Sequence, residues 1–335
     1  MTRKLFRPAL EWVENSLGVP VFPRDRILSA VSGDGVHWER RPGIVIDVKG
    51  EHGSEMVYWP HVVDFGNYRR MYFVGSHLVN GHWRERILSA RAESGDNWEI
   101  EPGERVSPGG EFDSHFASSP RVVGISGGYR MYYSGKSSGV QPRILSAVSR
   151  DGLSWQKEPG VRLSPLTGIS EYLSAPSVIC DGSEWLMVFT SRFGYSARIG
   201  IARSEDGLAW SWTVEKGGDL INPGPRLCAA NPSPVFHNGL YRVYYSGHDG
   251  SVYKAKIYFS DTRDFKTWSP GVECLDFSGP FERAEVEYCH VIRESELDWK
   301  MYYTGFWGKH LLSPITSYIY SRKAKAARAG LAADY

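Results

Sequence analysis

The sequence predicts an all-β fold: a five-bladed β-propeller with four antiparallel strands per blade, the ring closed by N-terminal strands that pair with the last blade. Three observations predict it. First, an acidic turn ending in tryptophan recurs 55 to 60 residues apart, as SGDGVHW (to Trp38), ESGDNW (Trp98), SRDGLSW (Trp155), SEDGLAW (Trp210) and TRDFKTW (Trp268). Second, each turn follows a strand of one type: RILSAVS (26–32), RILSARA (86–92), RILSAVS (143–149), RIGIARS (198–204) and KIYFSDT (256–262). Third, the last four of these are preceded by an aromatic strand, and that by a short apolar one. Strands repeating at this period are the signature of a propeller blade.

Taken in order, the blade begins with an inner strand: YWPHVV (58–63), SSPRVV (118–123), SAPSVI (174–179), NPSPVF (231–236) and EYCHVI (287–292). The second strand is aromatic: YRRMYFVG (68–75), YRMYYSG (129–135), WLMVFTS (185–191), YRVYYSG (241–247) and WKMYYTG (299–305). The RILSA-type strand is third. The Asp-Gly turn reverses the chain, because these residues tolerate the positive φ angles of a tight hairpin. A fourth strand follows the tryptophan, as in WEIEPGERV (98–106).

The N-terminal RILSAVS has no inner strand before it, and the last repeat has no fourth strand. Joining the two closes the ring and removes open edges. SYIYSRK (317–323) then leaves six RILSA-type strands for five blades, so one is an extra edge strand. A six-bladed ring with an incomplete blade is the alternative. The whole chain, 1–335, reads as one domain. Residues 1–25 form an N-terminal extension, 26–323 the blades and 324–335 a tail. The Ala-rich KAKAARAGLAADY is a short helix or a frayed end.

Composition narrows the function classes. Lys plus Arg (39) balances Asp plus Glu (38), so no basic excess points to nucleic acid or an anionic membrane. Cys180, Cys228, Cys274 and Cys289 show neither a CxxC spacing nor a disulfide framework. The first residues, MTRKLFRPALEWVENS, lack an apolar leader, and no segment is long enough to span a membrane. The expected location is the cytoplasm. No motif calls for a cofactor, and no HxH or HExxH spacing marks a metal site. Oligomeric state is not readable.

Topology assigns the chemistry to one face of the disc. The Asp-Gly turns lie on the tidy face and read as structural. The opposite face collects irregular segments, where function concentrates. Its loops into the inner strands are 47–59, 107–119, 164–175, 222–231 and 276–288, and its hairpins include GSHLVNGHW (75–83), SRFGYS (191–196), GHDG (247–250) and GFWGKHLLSP (305–314). The loops into the inner strands carry Glu55, Asp113, Glu171, Glu285 and Glu287, with His61, His115 and His290 close by. Acids converging on a central funnel are what glycosidic cleavage needs, one as proton donor and another as base or nucleophile. The competing reading is that these acids pair with Arg84, Arg86, Arg121, Arg192 or Arg226 and only hold loops. The histidines read equally as satisfied polar groups near the axis.

The strand pattern from about Arg26 to Lys323 resembles the five-bladed propeller glycosidases of glycoside hydrolase families 43, 32, 62 and 130. The SxDGxxW turns resemble a shortened Asp-box hairpin of sialidase-like propellers. The resemblance implies a carboxylate pair acting on a sugar. Those families place an Asp before the proline of the first inner strand. Here that position holds Trp59, Ser119, Ala175, Asn231 and Tyr288 in turn, and the site of the usual base or nucleophile is empty. The segment VEYCHVI (286–292) resembles the families' EGP-like context and puts Glu287 in the place of the general acid. Asp113 or Glu171, with Glu55 near, is then the expected base. Trp59, His61, His115, Ser119, Asn231, Tyr288 and His290 are expected to bind a small soluble glycoside or sugar conjugate. Two other outcomes are a propeller with altered chemistry, such as a tailoring hydrolase or transferase, and a non-catalytic sugar- or protein-binding propeller.

Overall fold

The computed structural model describes residues 24–48, 50–79, 82–180, 184–194, 196–212, 220–221, 228–248, 255–282 and 285–307. Among them are twenty strands and no helix. The chain enters through β1 (Arg24–Ser32) and β2 (Glu39–Arg40). It then runs through β3 (Met56–Asp64), β4 (Arg69–Val79), β5 (His82–Ala92) and β6 (Glu99–Val106) as one antiparallel unit. The next unit is β7 (Phe116–Ile125), β8 (Gly128–Lys136), β9 (Arg143–Ser149) and β10 (Gln156–Lys157). It is followed by β11 (Tyr172–Cys180), β12 (Trp185–Phe193), β13 (Ser196–Ser204) and β14 (Leu220–Ile221). Then come β15 (Cys228–His237), β16 (Leu240–His248), β17 (Ala255–Thr262) and β18 (Val272–Leu275).

The last strands, β19 (Glu285–Ser295) and β20 (Asp298–Trp307), form a sheet in the order β19-β20-β1-β2. β1 pairs with β20 along its full length, from Arg24 opposite Trp307 to Ser32 opposite Trp299. It therefore takes the third-strand position that the chain end would otherwise have to fill. SYIYSRK and the Ala-rich end lie outside the described residues, as do parts of the loops at 222–227, 249–254 and 308–314. β1 starts at Arg24, so the sheet includes Asp25, which the sequence left in the extension. The fourth strands are short except β6, because most chains leaving the tryptophan turn bond for only two to four residues. The inner strands lie against one another in the order β3, β7, β11, β15, β19 and back to β3.

The strands are buried on both faces, which is why they read as nearly continuous apolar runs. Ile27, Leu28, Met71, Tyr72, Phe73, Met131, Tyr132 and Tyr133 are all essentially inaccessible. One recurring contact joins each turn to the preceding unit. Tyr72 on β4 donates its hydroxyl to Gly152 O at 2.6 Å in the next unit's turn, and Trp155 of that turn packs edge-on against the Tyr72 ring. Tyr132 does the same to Gly207 and Trp210, and Tyr244 to Gly35 and Trp38, each at 2.7 Å. Tyr302 reaches Asp96 at 2.5 Å beside Trp98. The turn Asp organises its own loop, as where Asp151 Oδ1 accepts from the N–H groups of Leu153 and Ser154. The repeated turn is thus a structural latch.

The latch explains its glycines. A Cβ on Gly152, Gly207 or Gly35 would stand 2.7, 2.7 and 2.8 Å from the tyrosine hydroxyl it serves. The turn that carries Phe265 in place of glycine meets Val188 where the others meet tyrosine, and the two share one apolar cluster with Leu186 and Ile201. Phe265 fills the volume the missing phenol leaves, at the cost of a left-handed backbone (φ 56°). This pairing predicts a double-mutant result. Val188→Tyr alone overpacks the site and destabilises by about 2 kcal/mol, and Phe265→Gly alone opens a cavity costing about 3 kcal/mol. Combined, they restore the other units' latch, and urea midpoints should show a favourable coupling of at least about 1 kcal/mol. Simple additivity would refute the latch.

Candidate active site

Every inner strand breaks register at one shared position, at Tyr58/His61, Ser118/Arg121, Ser174/Ser177, Ala230/Ser233 and Glu287/His290. At each break one non-glycine residue is left-handed: Trp59, Ser119, Ala175, Asn231 and Tyr288, with φ between 48° and 58°. Three of these residues are held by hydroxyls from the preceding unit. The N–H of Ala175 donates to Ser119 Oγ (3.3 Å), that of Asn231 to Thr190 Oγ1 (2.8 Å) and that of Tyr288 to Ser246 Oγ (3.2 Å). The bulge brings Trp59 and Tyr288 together, with ring centroids 4.3 Å apart and Tyr58 beside them.

Carboxyl groups gather over these rings. Glu285 on β19 and Asp25 on β1 both stand opposite Phe306 on β20, so they share one sheet face. Glu287, two residues beyond Glu285, lies on that face as well. On the adjoining unit Glu85 stands opposite Ser76. The arginines that follow these acids alternate to the other face. Arg26 pairs with Asp47 at 2.6 Å and Arg86 with Glu104 at 3.0 Å. Among the described residues no ion pair reaches Asp25, Glu85 or Glu285, and Asp25 Oδ1 has no hydrogen-bond partner although the residue is only 6 % exposed.

The electrostatics follow from that burial. Desolvation, with Glu287 close by, pushes the Asp25 carboxyl up to about 7. Burial, then Glu287 and Asp25, push Glu285 up to about 8. Glu85 is raised by burial, against the opposing pull of the nearby Ser118 and Tyr58 hydroxyls. The Tyr288 hydroxyl hydrogen-bonds to Glu287 and is held well above the usual phenol range by burial and by that carboxyl. Tyr58 is raised by burial, by Glu85 and, more weakly, by Asp25, which places it between the two groups of acids. Trp83 lies one pleat outward from Glu85 on the same face and is 42 % exposed. Such a set can hold protons near neutral pH beside an aromatic floor.

Of the residues expected from sequence, Glu287, Tyr288 and Trp59 lie in this cluster. The others have separate partners. Asp113 is 1 % exposed and accepts from Tyr133 Oη (2.9 Å), Lys157 Nζ (2.6 Å) and the Gly110 N–H (2.6 Å), so it clasps its own loop. Glu171 is exposed and accepts the Gly194 N–H at 3.2 Å. Glu55 is half-buried near His77, and its N–H donates to Ser76 O. His115 is exposed. Ser119 bonds Ser134 at 2.7 Å and Asn231 bonds Ser246 at 3.2 Å, both buried.

His61 and His290 pack against each other at 4.3 Å. His61 bonds Val122 O, and His290 accepts the Val62 N–H, each at 3.1 Å. Burial and Arg121 push His61 down to about 3, and burial, His61 and Arg121 hold His290 well below its usual range. Arg121 is itself buried, with its guanidinium on the carbonyls of Pro60, Pro120 and Cys289. These three side chains tie inner strands to one another. Among the described residues no group of three or more His, Cys, Asp or Glu is placed to hold a metal.

Sequence reasoning missed Asp25 and Glu85, and named Glu285 without giving it a role. A signal for the first two was present. The residue before the Arg or Lys of each RILSA-type strand is Asp25, Glu85, Pro142, Ala197 and Ala255 in turn, so two repeats depart from an apolar position with an acid.

No family model matches the chain. An uncharacterized protein of Mycobacterium tuberculosis, found alike in strains CDC 1551 / Oshkosh and ATCC 25618 / H37Rv, is 31% identical over 198 residues, 56% of this chain. That match spans 65% of the relative's length, a little under two thirds. Among solved structures, one described as a glycoside hydrolase superposes with a TM-score of 0.63 at 14% identity, over 89% of this chain and 95% of its own. A thermostable family-43 glycoside hydrolase gives 0.55 at 13% identity, over 75% and 88%. The fold is that of the glycosidase-type β-propellers.

The acid cluster carries a prediction for stability. From ordinary values of 3.8 and 4.5, Asp25 and Glu285 are raised to about 7 and about 8. Between those limits the folded chain keeps protons that the unfolded chain releases. The stabilisation these groups give is full below pH 4 or so and is lost as pH rises through about 7 to 8. Asp25→Asn and Glu285→Gln should each raise the unfolding free energy at pH 8.5 by on the order of 1–2 kcal/mol, and leave it little changed at pH 4. Urea melts at the two pH values check this. Destabilisation at pH 8.5 would mean that the carboxylates are structural.

Proposed function

We propose that the protein is a five-bladed, ring-closed propeller enzyme that cleaves a glycosidic bond in a small glycoside or sugar conjugate. The observation that carries this reading is the pair Asp25 and Glu285, both opposite Phe306 and raised by burial to about 7 and about 8 beside Glu287, with no ion pair reaching them among the described residues. A carboxyl with a pKa of about 8 is a proton donor poised for a departing glycosidic oxygen. Glu285 takes that role. Glu287, hydrogen-bonded by Tyr288, acts as the base on water. This moves the acid role from Glu287, where the sequence put it, to its neighbour two residues away. Strand residues two apart stand roughly 7 Å apart, the spacing of an inverting pair. Trp59 and Tyr288 form the floor for the sugar ring, and Trp83 offers an aromatic platform for the leaving group. The cyclic contact order of the inner strands and the β1–β20 pairing support the closed ring. The fold shared with structures described as glycoside hydrolases supports the reaction class.

A second reading, an altered chemistry such as glycosyl transfer, draws on the five left-handed positions. None is an acid, and two are the aromatic pair Trp59 and Tyr288.

A panel of aryl glycosides tests both. Glu285→Gln and Glu287→Gln should each lower kcat for the responding sugar by roughly 10²-fold or more. The wild-type rate should fall above about pH 8 as Glu285 loses its proton, and proton NMR should show the inverted anomer. Asp113→Asn should cost stability while kcat stays within about threefold. Turnover unaffected by either Glu substitution would sink the assignment. Transfer to an added alcohol with no release of free sugar would favour the second reading.

A further inference from the structure

The repeat allows equivalent positions around the mouth to be compared. In each unit the second strand places one residue level with the outermost bonded pair of the inner strand. These residues are Ser76, Lys136, Arg192, His248 and Phe306. Two neighbouring units carry carboxyls at or beside this level: Asp25 and Glu285 flank Phe306, and Glu85 faces Ser76. The next two units carry cations there, Lys136 and then Arg192. The mouth is therefore divided into an acidic side and a basic side.

The cations are not spent on the acids. Arg192 is exposed, makes no ion pair among the described residues and lies over the Tyr172 ring, 5.8 Å from its centroid. Lys136 is half-exposed and likewise carries no ion pair among the described residues. Both sides nevertheless act on shared neighbours. Burial raises the Tyr172 hydroxyl to about 12, with Glu85 pushing it up and Arg192 pulling it down. The Cys228 thiol, likewise raised to about 12 mainly by burial, feels Glu287 and Glu285 against Arg192. The mouth thus holds opposite charges that, among the described residues, form no salt bridge with one another. A neutral sugar has no use for this arrangement. An anionic sugar does, because the cations set which end of it faces away from the carboxyls.

We propose that the substrate is anionic: a glycoside bearing a carboxylate or a phosphate, with that group held by Arg192 and Lys136 while the bond to be cleaved lies against Glu285 and Glu287. The proposal rests on the glycosidase reading for its reaction and on the divided mouth for its ligand. Arg192 supplies a planar fork suited to either oxyanion, and Lys136 a point charge beside it.

Paired aryl glycosides differing only in charge test it on the wild-type protein: glucoside against glucuronide, galactoside against galacturonide, and glucoside against glucoside 6-phosphate. Binding is measured by titration calorimetry and turnover by aryl release. In at least one pair the charged member should bind roughly tenfold or more tightly, with the preference shrinking as salt rises. In the Arg192→Gln/Lys136→Gln double variant the preference should fall to within about twofold. A response only in the uronide pairs assigns a carboxylate, and one only in the phosphate pair assigns a phosphate. Equal affinity within every pair, or a preference that survives the double substitution, overturns the proposal. Charge-selective binding without hydrolysis overturns the glycosidase reading and leaves the anion site standing. Hydrolysis with no charge preference does the reverse. Binding of no member of any pair overturns both.

Discussion

A left-handed residue in the middle of an inner strand costs roughly 1–2 kcal/mol when it is not glycine, and this chain accepts that cost five times. At three of the five the backbone N–H is captured by a hydroxyl from the preceding unit, Ser246 for Tyr288, Thr190 for Asn231 and Ser119 for Ala175, and this interaction offsets the cost there. An orphaned buried N–H would add a comparable penalty. The hydroxyl bond therefore binds neighbouring units together and fixes the bulge at once. The rest follows from the bulge. It turns Trp59 and Tyr288 into contact, and it lets Glu287 stand on one side of the break while His290 goes to the axis. Fold and site are set by the same five residues.

The carboxyl cluster pulls against that framework. Asp25 and Glu285 would be more comfortable charged and in water, and their raised pKa values measure how far the fold denies them this. Elsewhere three arginines neutralise buried or half-buried acids locally. Arg70 takes Glu101, Arg130 takes Glu158 and Arg242 takes Asp261, each through two hydrogen bonds. The contrast shows that the chain has arginines enough to pair its acids and leaves these acids out. The latches between units supply the offsetting stability, through three tyrosine–glycine bonds and one tyrosine–aspartate bond that recur around the fold.

The repeat, the strand order within it and the use of N-terminal strands beside the last repeat were readable from sequence, because strand composition and turn chemistry are local. Tyr288 and Trp59 were readable because they sit at the one position that repeats in every inner strand, and Glu287 because it immediately precedes that position. Asp25 and Glu85 were not, because the search looked for acids in irregular loops. Here the third strands run on past the body of the sheet, so their first residues reach the mouth while still in regular pairing. Asp113 misled for the opposite reason. It lies in a loop, but Tyr133 and Lys157, the residues that claim it, come from the two strands beside it, and no local pattern announces that.

What distinguishes this chain is therefore written in the differences between its repeats. Where all five units agree, as at the tryptophan turns and the buried Tyr or Phe of the second strands, the residues hold the fold. Where one unit departs in a matched pair, as with Val188 and Phe265, the departure is compensated by packing and carries no chemistry. Where units depart without compensation, as with an acid at Asp25 and Glu85 against Pro142, Ala197 and Ala255, nothing in the packing accounts for the change. Asp25 even leaves a carboxyl oxygen without a hydrogen-bond partner among the described residues. A buried polar group that the fold neither needs nor satisfies is costly to keep, and a ligand in the mouth is the partner that would justify it.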